Sequence, residues 1–166
     1  MRNQKGFTLI ELIIVIVVLG ILAVTAAPQF IDFSSDARTS TVKGLKGAMQ
    51  GASQTIYARA AIDDDLGSTG SVNSVDTVNG YPAATEAGIV TAANLDATNV
   101  DPAATVITDW AFFADSGTIS IAPGDQVPDP TTAVVGDITD TNCYVEYSDA
   151  ADSDTPPVIT TETSGC

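Results

Sequence analysis

The groups that could do chemistry in this 166-residue chain are 21 carboxylates, six basic side chains and two cysteines, with no histidine. Without histidine the chain lacks the usual general base near neutral pH and the commonest zinc ligand, which excludes histidine-dependent triads and His-containing zinc sites within it. The carboxylates gather most densely in Asp63-Asp64-Asp65 and in Asp149, Asp152 and Asp154. Oxygen-rich loops suit calcium, but both stretches lack the glycine and closing glutamate of an EF-hand loop, so solvated surface loops are expected. Eighteen acids spread over residues 60–166 guarantee chance pairs, and no aspartic-type dyad can be read from their spacing. No Gly-rich phosphate loop, zinc spacing or nucleophile elbow occurs. Neither a catalytic role nor a cofactor or metal is expected.

The charge is unevenly placed. Arg2, Lys5, Arg38, Lys43, Lys46 and Arg59 all lie in the first 59 positions, and residues 60–166 carry no base. An acid-rich head without a basic patch has nothing to neutralise phosphates, so no nucleic-acid partner is expected. The length fits one domain with a modest core.

One carboxylate sits where a carboxylate is costly. Phe7 to Ala27 is a 21-residue apolar run whose single charge is Glu11. At about 1.5 Å per residue such a helix spans roughly 30 Å, the thickness of a bilayer's hydrocarbon core. Its fourteen Leu, Ile, Val and Phe residues favour insertion by about 4 to 8 kcal/mol, which outweighs a penalty of about 3 for a carboxylate near one end. Arg2 and Lys5 before the span and Asp32 and Asp36 after it place the short leader in the cytoplasm and the acidic part outside. A cleaved secretory signal ending at Thr25-Ala26-Ala27 is the competing reading. Against it stand Pro28 directly after the cut, the length of the run and the carboxylate within it.

Gly6-Phe7-Thr8-Leu9-Ile10-Glu11, after a short basic leader and before an unbroken apolar helix, resembles the class III signal of type IV prepilins. Through Pro28-Gln29-Phe30 the stretch is similar to pilins of the mannose-sensitive haemagglutinin type; beyond it the similarity is architectural. The resemblance implies cleavage between Gly6 and Phe7 by a membrane prepilin peptidase, N-methylation of the new Phe7 amine by the same enzyme, and retention of the apolar helix. It further implies that Glu11 pairs with the Phe7 amine of a neighbouring subunit and sets axial register, because an unpaired carboxylate among apolar helices is costly. Pro28, with Gly20 as a second weak point, matches a place where such helices bend or melt; both residues could equally mark where the helix leaves the bilayer.

Downstream, Val42, Leu45, Met49, Ala52 and Ile56 recur at intervals of three and four, and the helical pattern runs to about Ala61. Lys43, Lys46 and Arg59 lie off that stripe. Gly44, Gly47 and Gly51 each cost about 1 kcal/mol in a helix interior, so either close packing compensates or the helix frays. Asp63 to Ser71 reads as a turn-rich loop, and Tyr81 to Gly88 as a short helix with Pro82 in its first turn. Thr91 to Leu95 is ambiguous. Strands are expected at Thr105–Ala114 and Thr118–Ala122, joined by the hairpin signal Asp115-Ser116-Gly117, and at Asn142–Tyr147 and Val158–Thr163.

Cys143 and Cys166 are both placed outside the cytoplasm by the topology argument, which favours a disulfide. The resemblance agrees, since pilins usually carry a disulfide-bounded, fibre-exposed region near the carboxyl end. The expected organisation is a leader (1–6), a long helix (7–61, with 7–27 in the membrane and later the filament core) and an acidic globular head (62–166). The expected fold is α+β and type IV pilin-like, a long N-terminal helix packed against an antiparallel sheet of about four strands.

The function this implies is a structural pilus (fimbrial) subunit, inserted as a precursor in the inner membrane of a Gram-negative-type bacterium and polymerised into an extracellular filament for attachment, colonisation and biofilm formation. Its implied partners are further copies of itself, the peptidase and N-methyltransferase, an inner-membrane platform, assembly and retraction ATPases and an outer-membrane secretin. A minor pilin or a type II secretion pseudopilin shares the same leader and helix. From another class, a secreted or membrane-anchored acidic binding module remains open.

Overall fold

A computed structural model describes residues 6–24, 33–101, 103–128 and 131–166 with their side chains, and residues 25–32 as helical backbone alone. The chain divides into two compact units, residues 1–37 and 38–166, and the helix α1 (Leu9–Asp63) contributes to both.

In the first unit α1 begins immediately after Thr8. Its side chains from Leu9 to Val24 are exposed, with Leu9 at 79% and Val24 at 76%. A helix that is apolar all round cannot be satisfied by one packing face. Among the described residues no helix is long and apolar enough to cross a membrane; residues 25–27, the last of the apolar run, carry no side-chain description. The helix passes through Gly20 without a break, and the expected bend at Pro28 lies outside the residues described with side chains.

The second unit is built on the rest of α1. Val42, Leu45, Met49, Ser53, Ile56 and Ala60 are buried, so the stripe turns through Ser53 rather than Ala52. The strands are β1 (Gly70–Val72), β2 (Val75–Val78), β3 (Tyr81–Pro82), β4 (Ala97–Asn99), β5 (Trp110–Asp115), β6 (Thr118–Pro123), β7 (Tyr144–Ser148) and β8 (Val158–Glu162). Five of them form one sheet in the order β4-β5-β6-β7-β8, and β1-β2-β3 form a small second sheet.

The four strands expected from sequence are β5 to β8, all antiparallel, with Phe112 opposite Ile121 and Val145 opposite Thr161. The sheet has a fifth member, because β4 pairs parallel to β5 along its edge, Thr98 beside Ala111. Alternation sends successive residues to opposite faces. Phe112, Ile119, Ile121, Val145 and Tyr147 meet Val42, Leu45 and Met49 of α1 in one core. Ala111 and Ala122 meet Val100, Val106, Ala133 and Ile138 in another. The second core needs a cover, which the short helix α2 (Val135–Asp140) and the loop residues Val100 and Val106 provide.

That cover corrects one expectation, and two others fail elsewhere in the fold. The strand expected from Thr105 starts only at Trp110, since Val106 is buried from a loop under the sheet while Ile107 is 87% exposed. The helix expected at Tyr81–Gly88 is replaced at its start by β3, and only Glu86–Val90 forms a helical turn, capped by the Thr85 hydroxyl accepting from the Gly88 N–H. Pro82 suits an edge strand, where its missing N–H leaves no bond unmade. The loop expected to Ser71 likewise gives way to β1 at Gly70.

Both hairpin turns of the small sheet use left-handed backbone. Asn73 and Ser74 have φ of 52° and 66°, and Asn79 and Gly80 have φ of 53° and 81°, the geometry that joins tightly twisted strands. At Gly80 a Cβ would also lie 2.5 Å from a Leu66 methyl. Ile56 and Ala60 at the end of α1 pack on Val72 and Val75 of this sheet. Within this chain nothing packs closely against Gly44, Gly47 or Gly51: a Cβ at any of them would meet nothing within 4 Å.

Candidate functional site

Residues 6 to 8 precede α1 in non-helical backbone, with Phe7 94% exposed. An extended, unencumbered peptide is what a protease cleft accepts. A Cβ on Gly6 would meet nothing within 4 Å, so the chain's own fold makes no demand for glycine there.

One turn further, Glu11 is engaged with Thr8. The Thr8 backbone N–H and hydroxyl donate to Glu11 Oε2 at 2.8 and 2.7 Å, and the Glu11 N–H donates back to the Thr8 hydroxyl at 3.3 Å. This reciprocal pairing is a capping box, in which the first-turn donors of a helix are satisfied by two of its own side chains. It also keeps the carboxylate at the helix N-terminus, where the helix dipole favours negative charge. The spacing Thr8-Leu9-Ile10-Glu11 carries the sequence signature of this motif. Phe7, Thr8 and Glu11 are thus adjacent at one helix end. Arg2 and Lys5 lie outside the described residues.

At the other end of the chain Cys143 and Cys166 form a disulfide, with Cα atoms 4.9 Å apart and both residues buried. It encloses β7 and β8. The acids within it serve turns separately. Asp152 accepts from the Asp154 and Thr155 N–H groups, and its carboxyl is held below the ordinary range chiefly by the Thr155 side chain, with the Asp154 N–H next. Glu162 is lowered by its bonds from Ser164. Asp149 differs: burial pushes its carboxyl up, opposed by the Ala84 N–H that it accepts. Its own N–H donates to the Gly117 carbonyl at 2.8 Å, and a Cβ on Gly117 would stand 3.0 Å from its carboxylate.

In the Asp63-Asp64-Asp65 stretch, Asp63 pairs with Arg59 at 2.8 Å and Asp65 accepts from the Ser71 N–H at 3.3 Å. Among the described residues no group of three or more carboxylates converges on a point that could hold a metal ion. Arg38 pairs within its own unit with Asp125 at 3.1 Å. Three tyrosines, whose packing no local sequence signal marks, tie the head together. Tyr57 stacks on Tyr81, the Tyr57 hydroxyl donates to the Ser153 carbonyl, and the buried Tyr147 hydroxyl, its pKa raised by that burial, donates to the Pro82 carbonyl at 2.6 Å.

Residues 1–27 match the family described as the prokaryotic N-terminal methylation motif. Fimbrial protein Q of Moraxella bovis is 37% identical over 125 residues, 65% of this chain and 80% of that protein. The type IV major alpha-pilin of the same organism is 33% identical over 126 residues, 65% of this chain and 79% of its own length. A type IV narrow pilus major component of Thermus thermophilus is 48% identical over 60 residues, 36% of this chain and 48% of that protein. No solved structure matches. With a capped helix whose side chains are exposed from Leu9 to Val24, an α+β head, and likeness over more residues than the helix contains, the chain belongs to the type IV pilin family.

Proposed function

We propose that the chain is made as a membrane-inserted precursor, cut between Gly6 and Phe7, methylated on the Phe7 amine and polymerised through its apolar helix into a surface pilus used for attachment, colonisation and biofilm formation. The observation that carries this reading is the exposure of every side chain from Leu9 to Val24. Such a surface far exceeds the patches of a few hundred Å² that soluble monomers tolerate, so it must be covered by lipid before assembly and by other copies after it. In this reading residues 1–6 are the leader, residues 7–61 the long helix with 7–27 as its membrane and filament-core segment, and residues 62–166 the acidic head displayed on the fibre.

Cleavage removes Arg2 and Lys5 and creates an amine at Phe7, one turn from Glu11. In an apolar bundle that amine on one subunit and the Glu11 carboxylate on the next are mutually the best available partners, and their pairing fixes the axial step. Gly20 and Pro28 are the points where the helix yields under load. A prepilin peptidase with methyltransferase activity, an inner-membrane platform, assembly and retraction ATPases and a secretin supply processing and export in a Gram-negative-type envelope. The test is composition: filaments sheared from the surface of expressing cells are expected to consist predominantly of this chain. Its presence there only in trace amounts would instead indicate a minor subunit.

A further inference from the structure

On the processing proposed above, loss of Arg2 and Lys5 leaves four basic side chains, Arg38, Lys43, Lys46 and Arg59, against 21 acidic ones. Two of the four are engaged within the subunit: Arg38 pairs with Asp125 at 3.1 Å and Arg59 with Asp63 at 2.8 Å. Among the described residues Lys43 and Lys46 pair with no carboxylate of their own chain. Lys43 is exposed and Lys46 half-buried, and with the exposed Gln50 they form one row along α1. Beside that row runs a strip without side chains, Gly44, Gly47 and Gly51, all exposed and with open space where a Cβ would sit. At 3.6 residues per turn the strip lies on the side of the helix away from the buried Val42, Leu45 and Met49. A long polar side chain thus precedes a glycine three times, in Lys43-Gly44, Lys46-Gly47 and Gln50-Gly51.

Neither feature serves the subunit alone. Glycine destabilises a helix interior relative to alanine, and nothing in this chain comes close enough to require it there. What a strip of glycines permits is the close approach of another chain. The ammonium and amide groups beside it then offer donors to carboxylates on that chain. A free polyanion would meet two cations among many carboxylates, too few to hold it. A second copy of this chain differs in two respects. It brings 18 acids in residues 60–166, and burial of the apolar helices already holds it alongside, so two lysines need only orient it. They also relieve the repulsion between like-charged heads where these come nearest. We propose that this lysine-and-glycine face of α1 receives the acidic surface of a neighbouring copy, with Lys43 and Lys46 paired to its carboxylates. The proposal rests on the reading that the chain polymerises through its apolar helix.

Once Lys5 is removed, Lys43 and Lys46 are the only lysines, so a carbodiimide, which joins an amine to a carboxylate in contact with it, can link mature chains only through them or through the Phe7 amine. Sheared filaments and detergent-dispersed subunits are treated in parallel, and the linked peptides of covalent dimers are mapped by tandem mass spectrometry. The expected result is links from Lys43 or Lys46 to Asp or Glu in filament dimers and their absence from dispersed subunits. Lys43→Arg/Lys46→Arg, which keeps both charges but cannot be coupled, should lose these links at unchanged filament yield. Lys43→Glu/Lys46→Glu should lower filament yield at least tenfold, with insertion, leader cleavage and thermal unfolding of the dispersed subunit as in the parent. Parent filaments linked through Phe7 alone or not at all, the same lysine links in dispersed subunits, or a parental filament yield from the glutamate variant would each overturn the proposal and leave the fibre reading standing. Failure of the parent chain to form filaments would overturn both.

Discussion

Glu11 accepts two hydrogen bonds from Thr8, one from its backbone N–H at 2.8 Å and one from its hydroxyl at 2.7 Å. The carboxylate proposed to meet a neighbour's amine is therefore already oriented within its own subunit, at the helix end next to Phe7. In the proposed assembly, exchange of the Thr8 bonds for a charged partner would convert a cap into a register mark. Glu11→Ala should leave membrane insertion and leader cleavage intact and reduce sheared filament yield at least tenfold. Thr8→Val, which removes the hydroxyl at constant shape, should cost about 1 kcal/mol of helix-end stability and give an intermediate yield. Immunoblots of sheared and cell-bound fractions measure both; wild-type filament from Glu11→Ala would refute the register role.

Gly44, Gly47 and Gly51 are exposed in the middle of α1 with open space where a Cβ would sit. Alanine at each should stabilise the isolated subunit by about 0.5–1 kcal/mol, since glycine in a helix carries that entropic cost. If helices of neighbouring copies approach there, the same triple variant should assemble poorly. Urea titration of detergent-solubilised subunits and filament counts are expected to move in opposite directions. A triple variant both less stable and normally assembled would contradict this explanation.

The disulfide between Cys143 and Cys166 spans 23 positions. Closing such a loop contributes about 3 kcal/mol in the chain-entropy model. Cys143→Ala/Cys166→Ala should lower the Tm of the head by roughly 10 °C, and dithiothreitol should lower it in the parent protein but not in the variant. Equal thermal unfolding with and without reductant would show that the bond adds nothing to stability.

Asp149 carries a carboxyl whose pKa is raised in the folded chain, chiefly by burial. A native pKa above the unfolded value means that the folded state binds the proton more tightly, so this group's effect is to lower stability as pH rises from the ordinary aspartate value, 3.8, through the raised one. Asp152 and Glu162 are lowered and act oppositely, losing their contribution as pH falls through their native values. Asp149→Asn keeps an oxygen to accept from Ala84 and removes the titration. Its stability relative to the parent should therefore improve with rising pH across that window and level off above it. Chemical denaturation at several pH values reads this difference, and a constant offset would contradict it.

Much of this fold is legible in the residues themselves. The three-and-four spacing of Val42, Leu45, Met49 and Ile56 marks the buried stripe of α1, and Asp115-Ser116-Gly117 marks the turn between β5 and β6. The small sheet carries equally local signals in Asn73-Ser74 and Asn79-Gly80, which a reading weighted toward long apolar runs passes over. By contrast, β4 is three residues, Ala97-Thr98-Asn99, without alternation; it exists because the edge of β5 offers it partners. Val106 shows why no strand runs from Thr105 to Trp110: an apolar residue reports that it is buried, not that its backbone is extended. At the amino terminus, the role of Glu11 is suggested by its chemistry in an apolar run. Thr8 is found by spacing, and Tyr57, Tyr81 and Tyr147 only by tertiary packing.

The proposed processing turns on one peptide bond, between Gly6 and Phe7. Intact-mass and N-terminal peptide mass spectrometry of the subunit recovered from sheared filaments tests it most directly. The account predicts a chain that begins at Phe7 with one added methyl group on its amine and retains the entire apolar helix. A mature chain beginning near Pro28, with residues 7–27 absent, would contradict it and leave a secreted acidic head in place of a pilus subunit.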